Sequence, residues 1–252
     1  MSNSTRRIFI GDVHGHYDGL MRLLDAIALE DIDQLYFVGD LIDRGPKSAQ
    51  VVKFVRDHAD GCVLGNHEQL LLDAFPKGKT HVPALQGWLY SGGHSTLSSY
   101  GASIDRLLED VQWIRSLPLF IDLENLWLVH AGVNPNLALS QQTYHELCWI
   151  RDTFHTSANP YFADKLIITG HTITFTLPQV EPGQLAQGQG WIDIDTGAYH
   201  PRSGWLTGVD FDNEWVYQMN VFDHVLRKRR LSEATTLIQP SKVKLRSRPV
   251  IR

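Results

Sequence analysis

Aspartate and histidine stand two residues apart in Gly-Asp-Val-His-Gly (11–15), each beside a glycine. Related side chains return at near-equal intervals: Asp40, Asp43 and Arg44 in Gly-Asp-Leu-Ile-Asp-Arg-Gly (39–45), then Asn66 and His67 in Gly-Asn-His-Glu (65–68). His130 in His-Ala-Gly and His171 in Gly-His-Thr follow in the second half. A turn calls for glycine and aspartate but not for histidine. Carboxylate, imidazole and amide oxygen, with no thiolate, suit hard or borderline divalent ions such as Mn2+, Fe2+ or Zn2+ and argue against a structural zinc site. Two ions need a carboxylate between them, and Asp40, on the middle motif, is the candidate. Asp12 and His14 would complete one ion; Asn66, His130 and His171 would complete the other. Such a pair, about 3.5–4 Å apart, generates hydroxide at neutral pH and clamps an in-line displacement. Singly, each residue has a plainer reading: the aspartates as helix caps, the histidines as packed or surface side chains, Asn66 as a turn residue. Five such motifs, each at the end of an apolar run, are too many for caps alone.

The elements between the motifs explain how they could meet. Arg-Ile-Phe-Ile (7–10), Leu-Tyr-Phe-Val-Gly (35–39) and Cys-Val-Leu-Gly (62–65) read as strands. Each leads through a motif into a helix-period segment: 17–29, with Leu20, Leu23, Leu24, Ile27 and Ala28 on one face; 47–59, behind Pro46; and one beginning at 68–75. This β-α alternation predicts a parallel sheet with right-handed crossovers, which lines up loops distant in sequence along one rim. Residues 76–117, rich in Gly, Ser and Pro and then helical, read as an inserted helical lid, with Trp88, Tyr90 and His94 equally suited to line a substrate mouth or to pack the lid. Strands resume from 119, and Gly-Trp-Leu-Thr-Gly-Val-Asp-Phe and Glu-Trp-Val-Tyr-Gln-Met-Asn read as a hairpin.

Composition narrows the setting. The 252 residues carry a net charge of −5, but residues 221–252 hold nine Lys/Arg against two acids, leaving residues 1–220 at −12. An acidic body argues against a nucleic-acid backbone as partner. The basic end reads as a partly disordered, solubilising tail. No apolar run approaches the length of a membrane span, and the first residues lack a secretory pattern. Cys62 and Cys148 suit buried reduced thiols, so a cytoplasmic protein without a membrane partner is expected.

The first three motifs resemble the signatures of the phosphoprotein phosphatase family of calcineurin-like metallophosphoesterases, and the motifs at 130 and 171 resemble its remaining metal-binding histidines. The resemblance runs from residue 8 to about 220. Length and the stretch from Ile-Asp-Thr-Gly-Ala onward are most similar to bacterial and phage members, the lambda-type serine/threonine phosphatases. It implies an α/β (α+β) fold, a β-sandwich of two mixed sheets flanked by helices, in place of one parallel sheet. One domain is expected over 1–225, with the lid insertion at about 76–117 and a basic tail at 226–252. The resemblance implies two divalent ions, Mn2+ first among Mn, Fe, Zn and Mg, held by Asp12, His14, Asp40, Asn66, His130 and His171. It implies Arg44 and Arg151 as phosphate ligands, His67 as general acid and Asp43 as the carboxylate that orients it. Hydrolysis of phosphoserine or phosphothreonine, with phosphotyrosine a possible extension, in a phosphoprotein is the first expectation. It rests on Asp43, on Glu68 and on the short lid. Symmetrical hydrolysis of diadenosine tetraphosphate is the alternative within the same family. A non-catalytic binding scaffold is a third reading, disfavoured because every ligand and acid position is filled.

Overall fold

The computed structural model describes residues 5–101 and 103–243. In chain order the elements are β1 (Arg7–Ile10), α1 (Tyr17–Ile27), β2 (Gln34–Phe37), α2 (Ser48–His58), β3 (Gly61–Cys62) and α3 (Asn66–Ala74). Next come α4 (Val82–Trp88), a π-type turn (Leu89–Gly93), α5 (His94–Tyr100) and α6 (Ile104–Arg115). The second half holds β4 (Phe120–Leu123), β5 (Leu126–Val129), α7 (Tyr144–Trp149), α8 (Asp152–His155), β6 (Leu166–Thr169), β7 (Leu185–Gly188) and β8 (Trp191–Asp193). It closes with β9 (Trp205–Asp210), β10 (Trp215–Asn220), β11 (Leu226–Arg230), α9 (Leu231–Ala234) and β12 (Thr235–Leu237).

The strands form two six-stranded sheets, ordered β11-β10-β9-β1-β2-β3 and β12-β7-β8-β6-β5-β4. β1, β2 and β3 run parallel, as the β-α alternation requires, but β9 pairs antiparallel to β1 and carries β10 and β11 with it. One parallel sheet is therefore too simple, and the sandwich of two mixed sheets is the fold. Period-2 alternation divides the strand residues between cores. Phe9 faces the second sheet with Tyr36, Leu128, Ile168 and Ile192. Ile8, Ile10 and Phe37 face α1 and α2, against Leu20, Leu23, Val51 and Val55. Trp127 and Val129 face outward from the second sheet onto Leu147 and Phe154. Both rims are thus fixed by side chains buried on two faces, the arrangement needed to hold loops in place.

The basic stretch at 226–230 departs from the expectation of a tail. It is β11, an edge strand in register with β10. Its side chains alternate: Arg227 stacks over Trp205 and, with Arg229, donates to the Gly183 carbonyl and Gln218 Oε1, while Lys228 and Arg230 lie over the Trp215 ring. Long aliphatic stems with charged heads pack on aromatic faces, so a charge run need not be solvated coil. β12 adds a second strand from the same region to the other sheet. The remainder of the expected tail, 244–252, lies outside the described residues. Cys62 and Cys148 are both free and buried. Among the described residues, no helix is long and apolar enough to cross a membrane.

Candidate active site

The loops after β1, β2, β3, β5 and β6 gather on one rim. There the backbone is strained. His14, Asp40, Asp43, Arg44 and His171 all take positive φ, between 44° and 72°. Non-glycine residues enter this region at a cost of about 1–3 kcal/mol each where nothing local favours it. The surrounding contacts hold them there. Glu68, fully buried, accepts backbone N–H bonds from Asp40 (2.8 Å), Leu41 (2.9 Å), Ile42 (3.3 Å) and Gly65 (3.1 Å). Gly170 allows the closest approach: a Cβ there would stand 2.0 Å from Asp12 Oδ1.

Donor atoms of His14, Asp40 and His67 lie within 4.8 Å of one another, as do those of Asp12, Asp40 and His130. Asp40 belongs to both groups, and its two oxygens face different imidazoles: Oδ2 is 3.5 Å from His14 Nε2, Oδ1 is 3.4 Å from His130 Nε2. His14 Nδ1 lies 2.9 Å from the Ile42 carbonyl and His130 Nδ1 2.8 Å from that of Val38. Those contacts place the ring proton on Nδ1 and leave each Nε2 as a lone pair. Burial, and secondarily the neighbouring His67, holds His14 down to about 3; burial likewise lowers His130 and takes His171 well below the usual range, so all three are neutral. His130 Nε2 then meets Asn66 Oδ1 at 2.9 Å, lone pair against lone pair, and His171 Nδ1 lies 2.7 Å from the same oxygen. Asp12, which accepts from the His171 N–H at 3.1 Å, is pushed well up by burial and then by Asp195, Asp40 and Asp193. Acceptors converging on acceptors, among crowded buried acids, are stabilised by cations. The donor set fits divalent metal ions, with Asp40 placed to face two of them.

The Asp43–His67 pair stands beside this cluster. Asp43 Oδ2 is 2.6 Å from His67 Nδ1, which leaves Nε2 turned toward Asp40 Oδ2 at 4.0 Å. Burial lowers His67, but Asp40 and Asp43 outweigh it and the imidazole is net raised. Asp43 also accepts from Trp88 Nε1, at 3.1 and 3.0 Å to its two oxygens, and from Thr96 Oγ1 at 2.6 Å. A cavity of about 200 Å3 opens above, lined by Arg44, His67, Arg151 and His171 among others. The exposed Arg44 guanidinium lies 4.5 Å from the centre of the Tyr199 ring. Arg151 Nη1 donates to the His171 carbonyl (3.0 Å) and Thr172 Oγ1 (3.1 Å).

All ten residues that the sequence offers as metal, phosphate or acid–base candidates lie at this rim. Four further residues carry no sequence reading: Asp195, Tyr199 and Ser91 line the cavity, and Thr96 stands behind Asp43 beside Trp88. Asp195 follows β8 by two residues, so the acid at a strand end was a readable signal. Of the two readings that the sequence leaves open for Trp88, substrate mouth or lid packing, the structure takes the second: Trp88 is fully buried, whereas Tyr90 is 96% exposed.

The profile of the calcineurin-like phosphoesterase family matches residues 5–192. Symmetrical bis(5'-nucleosyl)-tetraphosphatases are among the curated relatives. That of Actinobacillus succinogenes is 36% identical over 133 residues, covering 51% of this chain and 44% of its own length. That of Klebsiella pneumoniae is 34% identical over 164 residues, covering 62% and 53%. The chain thus spans about half the length of the curated relatives it matches. In fold it is similar to a crystal structure described as a candidate diadenosine tetraphosphatase, with a TM-score of 0.59 at 21% identity over 91% of this chain and 95% of that one. A protein serine/threonine phosphatase from Saccharomyces cerevisiae shares the fold at 14% identity, with a TM-score of 0.57 over 100% and 83%. These relatives overturn the expectation of a serine/threonine phosphatase acting on a phosphoprotein, because they carry the name of the alternative. The geometry explains the error. Glu68 binds only backbone within the motif loops and Asp43 sits behind His67, so neither residue reads what the phosphate is attached to.

Proposed function

Because the chain belongs to the calcineurin-like phosphoesterase family, we propose that it is a metal-dependent hydrolase of bis(5'-nucleosyl) tetraphosphates, cleaving the central anhydride to give two nucleoside diphosphates. The observation that carries this reading is the shared name of the relatives that match it at 34–36% identity. In it, Asp12, His14 and Asp40 hold one ion, and Asp40, Asn66, His130 and His171 hold the other. Mn2+ is the first ion to supply, since no thiolate is present to favour a softer metal. When bound, such cations supply Lewis acidity toward phosphate oxygens and make water easier to deprotonate at neutral pH.

The chain's own groups then have distinct tasks. Arg44 and Arg151 bind nonbridging phosphate oxygens, where a planar fork matches two oxygens and offsets the negative charge of the body locally. Tyr199 restricts the Arg44 guanidinium by stacking. His67, its Nδ1 held by Asp43, carries a proton on Nε2 to the bridging oxygen as the P–O bond breaks. A nucleoside diphosphate is a far weaker base than an alkoxide, so that proton matters less for the tetraphosphate than for an alkyl monoester. A cytoplasmic setting belongs to the same reading, supported by the two free buried thiols.

The test is product analysis. With Mn2+ and diadenosine tetraphosphate, the protein is expected to release ADP as the sole nucleotide. Formation of AMP with ATP, or turnover of a phosphoserine peptide with none of the dinucleotide, would overturn the proposal.

A further inference from the structure

The segment between α3 and α6, read from sequence as a lid, turns its buried polar contacts away from the cavity. Trp88 ends α4 and Thr96 lies in α5, and the kink between the two helices falls at Gly92, which leaves helical backbone. All three lie against Asp43 and Arg44. Trp88 and Thr96 have no exposed surface and both donate to the Asp43 carboxylate, Trp88 at 3.0 and 3.1 Å and Thr96 at 2.6 Å. Thr96 Oγ1 also accepts the Asp43 N–H at 2.9 Å, so the residue is gripped at backbone and side chain together. The Gly92 carbonyl accepts the Arg44 N–H at 3.3 Å. Gly92 itself has φ +121°, and a Cβ there would come within 2.8 Å of Arg44 Cδ. Tyr90 points outward, and among the described residues of the insertion only Ser91 lines the cavity.

We infer that the insertion is a buttress rather than a lid: Trp88 and Thr96 are positioning residues that fix Asp43, and through it the direction in which His67 delivers its proton, while Gly92 makes room for Arg44. The inference rests on the proposed role of His67 as general acid but not on the identity of the substrate. A carboxylate with three side-chain donors cannot rotate without breaking a buried hydrogen bond. An imidazole bound to it by Nδ1 therefore keeps Nε2 aimed at one point. As a water oxygen bonds to phosphorus and gives up a proton to solvent, the P–O bond to the leaving group breaks, the His67 proton passes to the departing oxygen, and the neutral ring is reprotonated by solvent.

The experiment uses the Mn2+-loaded protein and a series of phosphate monoesters with leaving groups from 4-nitrophenol to simple alcohols. Thr96→Val and Trp88→Phe are expected to lower kcat on alkyl phosphates by about 10–100-fold, part of the full range of general acid catalysis, and on 4-nitrophenyl phosphate by less than about 3-fold. KM and bound metal should stay unchanged, Thr96→Ser should restore the leaving-group slope, and Tyr90→Ala should change neither constant. If Trp88→Phe does not fold, the Thr96 pair carries the test. Equal losses across the series would make these residues merely structural and sink the inference. So would a raised KM in Tyr90→Ala with an unaltered slope in Thr96→Val, since that is how a lid behaves. Failure to cleave the dinucleotide would leave the monoester slopes readable, so the two proposals fail separately.

Discussion

Asp40 and Asp43 stand three residues apart in one motif, both buried and both in left-handed backbone, yet their surroundings are opposite. Around Asp43 everything donates: His67 Nδ1, Trp88 Nε1 and Thr96 Oγ1. Around Asp40 the side chains mostly accept: the lone pairs of His14 and His130, with Asn66 Oδ1 beyond, and the acids Asp12 and Asp195 near by. Burial pushes the Asp40 carboxyl up, but the surrounding imidazoles of His130, His67 and His14, together with the His67 N–H, bring it down to about 2. The Asp43 cluster is complete as folded protein. The Asp40 cluster is completed by positive charge from outside. Two positions three residues apart on one loop are thus suited to different tasks, Asp43 to holding the His67 imidazole and Asp40, in the proposed reading, to facing ions.

Exchanging each carboxylate for its amide breaks the comparison at its widest point. Asp40→Asn should lose bound manganese, measured by elemental analysis, and lower kcat/KM by roughly 10³-fold or more, about 4 kcal/mol of transition-state stabilisation. Asp43→Asn should keep its metal and lose activity in proportion to the basicity of the leaving group. Equal metal content in the two variants would erase the distinction.

How much of this was legible beforehand follows the same division. The residues proposed to recruit ions sit at strand ends beside glycines, so the gathering of Asp12, His14, Asp40, Asn66, His130 and His171 at one rim is legible from residue type and local pattern. The donors around Asp43 carry no such mark. Trp88 and Thr96 are ordinary helix residues, and their partner is 45 and 53 positions away. Only tertiary packing reveals the link, which is why the sequence leaves substrate mouth and lid packing equally open for Trp88. The same limit applies to β11, where alternation of charged residues hides a strand because arginine guanidinium groups, not apolar side chains, cover Trp205 and Trp215. Leaving-group identity was misjudged because the motif residues grip the phosphate and the proton, and nothing in them contacts what lies beyond.

A smaller effect sharpens the contrast in stability. Ions that bind only the folded chain stabilise it by about 2.7 kcal/mol at a hundredfold excess over Kd. For a domain of this size that is a rise in Tm of about 5–10 °C. Mn2+ added to chelator-treated protein should give this shift in the wild type and in Asp43→Asn, whose metal cluster is intact. Asp40→Asn should show little of it. Scanning calorimetry with and without Mn2+ reads the difference, and a full shift in Asp40→Asn would remove Asp40 from the ion-holding cluster.

The smallest effect comes from a satisfied carboxylate far from the rim. Asp33, only 2% exposed at its side chain, accepts from Arg6 Nε at 3.0 and 3.1 Å and from the Glu30 N–H at 2.8 Å. Burial raises its carboxyl, but the hydrogen bonds from Arg6 outweigh it, and the group is held below its ordinary 3.8. A carboxyl lowered in the fold stabilises fully above its unfolded pKa, and that contribution vanishes as pH falls through the folded value. Asp33→Asn should therefore lower Tm by a few degrees at pH 7, in line with about 1–2 kcal/mol for a charge-assisted hydrogen bond. The gap to wild type should close below about pH 4 and be indifferent to Mn2+. Thermal melts from pH 3 to 8 test it. A gap that instead widened on acidification, or that Mn2+ abolished, would mean that Asp33 shares the incomplete condition of Asp40 and not the self-sufficiency of Asp43.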